Sequence, residues 1–429
     1  MVLSKYTSVS KSDGAWILFN AVSGRWVRLD EEEIEVDSAD RFLSFSACIK
    51  PTSLKALKEA GCINENAQEE ETAISEFAQN DYSNSKFLQM TIIPTQWCNF
   101  TCRYCYQEHA AQRMQDEVCN SILRFLTKNL SDFDLLEVGW FGGEPLCALE
   151  RICSMMRKIS ASCLIHKVSM FSTMATNGYL LTPDVFSRLY KAGVCNYQIT
   201  LDGFAPVHDY FRHLRTGGGT FERIMENLLY IKNNTQYERA NILIRINVSK
   251  KLLLSLSDFV RFLADRFGGD PRFFIDFQRI MDLGGTGIDT IQDEIIGEYD
   301  FGNYIRLAKS LHLGMNRYEA LLRIGGNVCK AARKNAYVID FDGSVKKCSA
   351  ALEDEINRIG YLDTDGNMHL DQNKLGLWMQ TFLPAECDYC EIYPLCYVKA
   401  CPYNRIRIQD IACPKKNNLI QIGAICGKE

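Results

Sequence analysis

Three cysteines within eight residues constrain this 429-residue chain more than any other feature. Cys98, Cys102 and Cys105 stand in the stretch 94–109, PTQWCNFTCRYCYQEH, with Cys-x3-Cys-x2-Cys spacing. Thiolates that close together can hold three irons of a [4Fe–4S] cube, whose usual ligand set is four cysteines. The fourth iron is then left without a protein ligand and is open to a substrate or cofactor. A zinc ion, or buried thiols that merely cluster, would also use such residues. Zinc wants four ligands, however, and His109 is the only nearby candidate. The apolar, β-rich run 88–93, LQMTII, reads as a strand that feeds the loop.

The chain holds eighteen cysteines, and its first residues, MVLSKYTSVSKSDG, lack the apolar segment of an export signal. In a reducing compartment clustered cysteines read as metal or redox sites, so the expected location is the cytoplasm. No apolar run reaches membrane-spanning length, which argues against a membrane role. The formal net charge is −5 and the basic residues are scattered, which argues against nucleic acid as a partner. Length and a 47% hydrophobic content allow two to three domains with a large core. Eight cysteines lie outside the clusters: Cys48, Cys62, Cys119, Cys147, Cys153, Cys163, Cys195 and Cys426. They are mostly isolated in apolar patterns and read as small core residues.

Residues 15–30, AWILFNAVSGRWVRLD, carry two β-rich runs around a Ser-Gly turn, a hairpin signal. Residues 31–45 (EEEIEVDSADRFLSF) and 53–63 (SLKALKEAGCI) read as short helices, the second closed by Gly61. The polar stretch 65–86 reads as a linker. From residue 88 to about residue 278, strand candidates FLQMTII, LLEVGWF, VSMFSTMA, CNYQITL, ILIRINV and RFFIDFQ alternate with segments of helical period. Repeated βα units mean a parallel sheet. In βα barrels the chemistry sits at the C-terminal strand ends.

The residues at those ends come in a telling order. Tyr104 precedes the third cysteine of the loop, and Gly142-Gly143-Glu144-Pro145 follows the second strand. Ala175-Thr176-Asn177-Gly178 follows the third, and Thr200-Leu201-Asp202-Gly203 ends the fourth. His208-Asp209-Tyr210-Phe211-Arg212 then precedes Gly217-Gly218-Gly219-Thr220-Phe221. Arg245 and Asn247 lie one side-chain period apart on the fifth strand, two polar groups in an otherwise apolar run. Together with the Cys loop, this series resembles the radical S-adenosylmethionine (SAM) superfamily. The resemblance implies an α/β fold, a partial (β/α)6 TIM-like barrel, with a [4Fe–4S] cluster on Cys98, Cys102 and Cys105. The amino and carboxylate groups of SAM would chelate its open iron, and reduction would yield a 5′-deoxyadenosyl radical. Gly142, Gly143 and Glu144 would hold the SAM amino group. Tyr104, Thr176, Asn177, Thr200, Asp202, Arg212, Arg245 and Asn247 would complete the SAM site, with a surface ion pair the plainer alternative for Arg212.

A second set of cysteines runs Cys329, Gly343-x4-Cys348, Cys387-x2-Cys390-x5-Cys396-x4-Cys401 and Cys413. It resembles the seven-cysteine SPASM domain, which holds two auxiliary [4Fe–4S] clusters and would bring the total to three. The resemblance implies an outer cluster on Cys387, Cys390, Cys396 and Cys413, and an inner one on Cys329, Cys348 and Cys401. One departure is the span from Cys396 to Cys401, four residues where the family usually has three. A zinc reading survives for 387–401, which has ribbon-like spacing. Some members add an eighth cysteine before the first. The stretch 317–324, RYEALLRI, has none, so the inner cluster is expected to have an open iron.

The implied organisation is an N-terminal winged-helix-like peptide-recognition domain over 1–85, a radical SAM core over 86–285, linker helices over 286–328 and a SPASM domain over 329–429. A structural cap is the alternative for 1–85. SPASM enzymes mostly modify peptides. The expectation is a maturase of a ribosomally made peptide, a sactipeptide- or ranthipeptide-type thioether synthase. Its partners would be a precursor peptide with a leader and a reductase such as flavodoxin or ferredoxin. A sulfatase-type maturase that makes formylglycine is the first rival. Such enzymes start almost at the barrel and usually place an Asp after the Gly-x4-Cys cysteine, where this chain has Ser349. A non-catalytic electron carrier or redox sensor is the other rival, and it would need none of the SAM motifs. No residue stands out as a catalytic acid or base.

Overall fold

The computed structural model describes residues 2–12, 14–36, 43–45, 49–64, 67–83, 86–283, 285, 287–380, 384–409 and 413–414. The N-terminal region opens with β1 (Val2–Leu3), β2 (Thr7–Ser12), β3 (Ala15–Asn20) and β4 (Arg25–Asp30). The expected hairpin is β3–β4, with Gly24 in the left-handed region at φ +68°. Strand β2 adds to its other side, so β3 is the central strand and β2 and β4 are the edges.

The described residues of 31–45 do not form the expected helix. Glu31–Glu33 make one 3-10 turn, then β5 (Ile34–Val36) pairs antiparallel with β6 (Leu43–Phe45). β-branched Ile34 and Val36 alternate with Glu35, which is the period of a strand. Next come α1 (Pro51–Glu59), closed by Gly61 at φ +73°, and β7 (Ile63–Asn64), which pairs with β1. The stretch read as a linker is mostly α2 (Ala67–Phe77), continued by a wider turn over Ala78–Ser83. Its Glu, Gln and Ala residues favour helix, while Glu70, Ile74 and Phe77 share the face that is buried. Glu70 accepts a hydrogen bond from Ser4 at 2.6 Å, and Glu71 one from Tyr6 at 2.9 Å. Ile74 joins Tyr6, Phe19 and Ala21 in one apolar cluster with Leu322, Val328, Ile392, Leu395 and Tyr397. Tertiary packing at both ends of the chain therefore makes this helix.

The barrel strands are β8 (Phe87–Ile92), β9 (Leu135–Trp140), β10 (Ser169–Thr176), β11 (Val194–Thr200), β12 (Asn241–Val248) and β13 (Phe273–Arg279). All neighbouring pairs are parallel and lie in chain order, as expected of an open (β/α)6 barrel. The crossovers carry α3 (Asp116–Asn129), α4 (Leu149–His166), α5 (Pro183–Lys191), α6 (Ala205–Phe211), α7 (Phe221–Asn233), α8 (Lys250–Leu253) and α9 (Leu256–Phe267). Their apolar faces and the strands share the main core.

After α10 (Gly302–Ser310) and α11 (Asn316–Leu321) comes β14 (Ala336–Ile339), which the sequence reading did not anticipate. It pairs parallel with β8, Val338 opposite Thr91. Then β15 (Ser344–Lys346), β16 (Arg358–Leu362) and β17 (Met368–Leu370) continue antiparallel to give ten strands. The boundary drawn at 329 thus precedes a strand of the barrel sheet itself. Helices α12 (Gln372–Met379), α13 (Tyr393–Cys396) and α14 (Pro402–Ile408) finish the described chain. Of the isolated cysteines, Cys62, Cys119, Cys153 and Cys163 are buried as expected, and Cys147 and Cys195 only partly so. Cys48 and Cys426 lie outside the described residues. No helix among the described residues is long and apolar enough to cross a membrane.

Phe19 is fully buried in the cluster that joins the two ends of the chain. Phe19→Ala should cost about 3–5 kcal/mol, as large-to-small core changes do. Denaturant melts followed at the C-terminal end should register that loss, and an unchanged midpoint there would refute the shared core.

Candidate active site

The Cys loop leaves β8 and lies across the C-terminal ends of the barrel strands. Its backbone is pinned from two sides. Gly143 and Glu144 donate N–H bonds to Thr95 O (3.2 Å) and Trp97 O (2.9 Å), and Thr101 and Arg103 donate to His213 O and Phe211 O (both 3.0 Å). The sequence reading gave Gly142 and Gly143 a role toward SAM. The structure gives their missing side chains a nearer reason. A β carbon on Gly142 would fall 2.4 Å from Thr95 O, and one on Gly143 2.3 Å from Gln96 O. Only glycine lets this turn pack under the Cys loop.

Cys98, Cys102 and Cys105 line a cavity of about 230 Å³, with both glycines, Tyr104, Thr176, Asn177, Thr200, Arg212, Arg245 and Asn247 also on its wall. Nine predicted SAM-site residues therefore surround the cavity with the three thiols. The other two, Glu144 and Asp202, stand behind the wall. Glu144 is almost fully buried, and it accepts from Leu146 N (3.0 Å), Thr176 Oγ1 (2.7 Å) and Asn177 N (2.7 Å). It ties the turn after β9 to the turn after β10, and burial pushes its carboxyl above the usual range. Asp202 accepts from the Tyr104 hydroxyl and from Asn247 N (3.1 Å). The Tyr104 oxygen in turn accepts from Arg212 (2.8 Å) and Asn247 Nδ2 (3.1 Å), and Arg245 Nε donates to Asn247 Oδ1 (2.9 Å). One phenol thus bonds three predicted site residues, and Asn247 links Arg245 to them. Burial raises its pKa well above the ordinary value, which keeps the proton that Asp202 accepts.

The same cavity suits the implied groups. Arg212 is buried, and its Nε has no hydrogen-bond partner. A buried guanidinium with a free donor suits a carboxylate such as that of SAM. Burial pushes the Cys102 thiol up to about 12 and raises Cys98 and Cys105 as well. Thiols so hard to ionise become thiolates when a metal supplies the charge. Among the described residues, no three Cys, His, Asp or Glu side chains converge on one metal-ion position. His109 Nε2 lies 3.3 Å from Cys105 Sγ while its Nδ1 faces Gln96 O, so it buttresses the loop.

Several cavity residues carry no motif. Arg279, Ile280, Met281 and Leu283 form the rim after β13. The glycine-rich 282–287 that follows was the available signal: β carbons on Gly285 and Gly287 would strike Cys105 O (2.1 Å) and Arg103 O (2.4 Å). Gln198, polar within a strand read as apolar, was another.

A second cavity, of about 620 Å³, occupies the barrel lumen and shares Phe141, Ala175, Gln198 and Arg245 with the first. Lys330 and Ser349, chain neighbours of Cys329 and Cys348, line it. Cys348 feels the charges of Cys329 and Cys401, and Cys396 those of Cys390, Cys413 and Cys387.

Residues 92–248 match the model of the Radical SAM superfamily. The chain is 22% identical over 349 residues to the serine-type anaerobic sulfatase-maturating enzyme of Bacteroides thetaiotaomicron, covering 72% of this chain and 80% of that one. It is 25% identical over 313 residues to the mycofactocin maturase MftC of Mycobacterium tuberculosis, covering 70% and 74%. Its fold is similar to that of native anSMEcpe with bound AdoMet, at 16% identity and a TM-score of 0.59 over 78% of this chain and 95% of that one. Streptococcus suis SuiB bound to S-adenosylmethionine is similar over 92% of this chain and 94% of its own, at 14% identity and a TM-score of 0.50.

Arg212→Met should weaken SAM binding about tenfold or more, the usual scale for losing a hydrogen bond to a charged group. Equilibrium dialysis with the iron-loaded protein measures it, and an unchanged Kd would remove Arg212 from the site.

Proposed function

We propose that this chain is a radical SAM enzyme that matures a ribosomally made precursor peptide by joining a Cys sulfur to a carbon of another residue. The observation that carries this reading is the shared chamber. The cavity of the Cys98–Cys105 loop adjoins the barrel lumen, and residues next to Cys329 and Cys348 line that lumen. When bound, the clusters and SAM would supply one-electron chemistry and a 5′-deoxyadenosyl radical. Cys98, Cys102 and Cys105 would hold the SAM-binding cluster, and the seven C-terminal cysteines the two auxiliary ones.

The chain's own groups have definable tasks. Arg212, Arg245 and Asn247 would orient the SAM carboxylate, and Thr176, Asn177 and Thr200 would bond its remaining polar edge. Phe141, Ile280, Met281 and Leu283 make the wall apolar and limit water near the reacting carbon. The Tyr106 hydroxyl donates to Ser349 O at 3.0 Å, which fixes the Cys loop to the C-terminal loop where the two cavities meet. In the N-terminal domain, β2 and β4 are the sheet edges to which an extended leader would add a strand. An external flavodoxin or ferredoxin would deliver the electron.

Formylglycine formation is the competing reading, supported by the similarity to sulfatase-maturating enzymes. It needs a base near the substrate. In this lumen Lys330 and Arg317 each hold a buried carboxylate, Glu137 and Asp276, and Ser349 stands where such an enzyme usually has an acid. That pairing favours the cross-link.

Reduced enzyme, SAM and a Cys-containing precursor should give a peptide two hydrogens lighter with its thiol lost, and a Cys→Ser peptide should not react. An aldehyde product that reacts with a hydrazide would instead establish the formylglycine reading. The triple change of Cys98, Cys102 and Cys105 to Ala should lower iron from about twelve to about eight per chain, at four irons per cube. It should also abolish 5′-deoxyadenosine formation, and persistent formation would place the radical cluster elsewhere.

A further inference from the structure

The four-residue span between Cys396 and Cys401 is accommodated by an uncommon backbone. Tyr397 and Val398 both adopt the left-handed conformation, with φ +49° and +57°. That region crowds any β carbon and is an outlier for β-branched valine. Such geometry persists where the surroundings over-determine it.

What holds it comes from the other end of the chain. The Tyr397 side chain is buried, and its hydroxyl donates to Ile74 O, 323 residues earlier, at 3.0 Å. Its ring stacks on Phe77 at 5.5 Å and 19°. Ile74 and Phe77 are both on α2, which Ser4 and Tyr6 anchor through Glu70 and Glu71. The consequence lies at the cysteines. Val398 N–H is directed at Cys396 Sγ (3.4 Å), Lys399 N donates to Cys396 O (2.7 Å), and Cys329 N donates to Lys399 O (2.9 Å). One short loop therefore touches a cysteine of each C-terminal group.

We propose that α2 of the N-terminal domain is a clamp on this loop. By gripping Tyr397 it sets the Val398 N–H against the Cys396 sulfur, so the N-terminal domain helps to shape the outer cluster's ligand shell. Tyr397 is a positioning residue and touches no substrate. Hydrogen bonds to ligand sulfurs tune the potentials of iron–sulfur clusters, so a shift of α2 should reach that cluster as a change of potential. The inference rests on the cluster assignment made above, which Cys396→Ala tests separately through iron content. Unchanged iron in that variant would sink the assignment and leave the contact between α2 and the loop untouched.

The test uses full-length, iron-loaded protein with two changes, neither of them at a cysteine. Tyr397→Phe keeps the ring and removes the bond to Ile74, and Phe77→Ala removes the stacking partner on α2. Redox titration followed by electron paramagnetic resonance should show one auxiliary cluster with a shifted midpoint potential and line shape in either variant, while the SAM-binding cluster keeps its wild-type signal. Loss of about four irons per chain with the SAM-binding signal intact has the same meaning. Auxiliary signals identical to wild type in both variants would overturn the proposal.

Discussion

The site depends first on how a loop bearing three thiols is pinned without filling the space it must leave open. The His109 ring buttresses the loop from one side, and close backbone contacts hold the rest without filling the cavity. Gly143 and Glu144 offer their N–H groups to Thr95 and Trp97 from beneath, and Gly285 and Gly287 lie close against Cys105 and Arg103 from the rim. The approaches of Gly143, Gly285 and Gly287 are too close for a β carbon. The loop is thereby held between two glycine surfaces, and its thiols are left facing the cavity.

From that fixed loop the polar network follows. Tyr104 comes from the loop, Asp202 from the end of β11, Arg212 from beyond α6 and Asn247 from β12, and the Tyr104 hydroxyl bonds all three. A single phenol bridges a buried carboxylate and a buried guanidinium, and Arg212 Nε is left without a hydrogen-bond partner. Glu144 does comparable work one strand over. It accepts three hydrogen bonds from the protein, so its carboxylate holds the cavity's edge in shape. The glutamate of the motif is conspicuous in the sequence, but its partners at Thr176 and Asn177 are set by the crossover between β9 and β10.

This difference explains what the sequence could tell. The six barrel strands were legible because each is an apolar run of the right length between helical segments, and the loop cysteines because their spacing is local. Arg245 and Asn247 were legible as polar breaks in an apolar strand, and Gln198 could have been by the same test. What escaped was set by distant parts of the chain. Residues 65–86 are polar enough to read as a linker, yet Ile74 and Phe77 find apolar partners both in the first strands, at Tyr6 and Phe19, and more than 240 residues later, at Leu322 and Tyr397. Residues 31–45 open with three glutamates that suggest a helix start, but β-branched Ile34 and Val36 then pair as strand. Strand β14 is four residues long and gains its place by lying against β8.

That last pairing has a consequence for the chemistry. β8 runs into the Cys98 loop, and β14 leads through β15 to Cys348. Because β8 and β14 are parallel neighbours, Ile339 opposite Ile92, their outgoing ends emerge on the same side of the barrel. Hydrogen-bonded strands lie about 4.8 Å apart, so the sheet itself holds the root of the Cys loop beside the turn between β14 and β15, and β15 then runs back antiparallel to reach Cys348. A flexible tether between two domains would leave that separation free to vary. A continuous sheet does not, and the Tyr106–Ser349 bond closes the same gap from above. The continuous run from β8 through β14 to β15 therefore makes the separation between the Cys98 loop and Cys348 a property of β-sheet geometry.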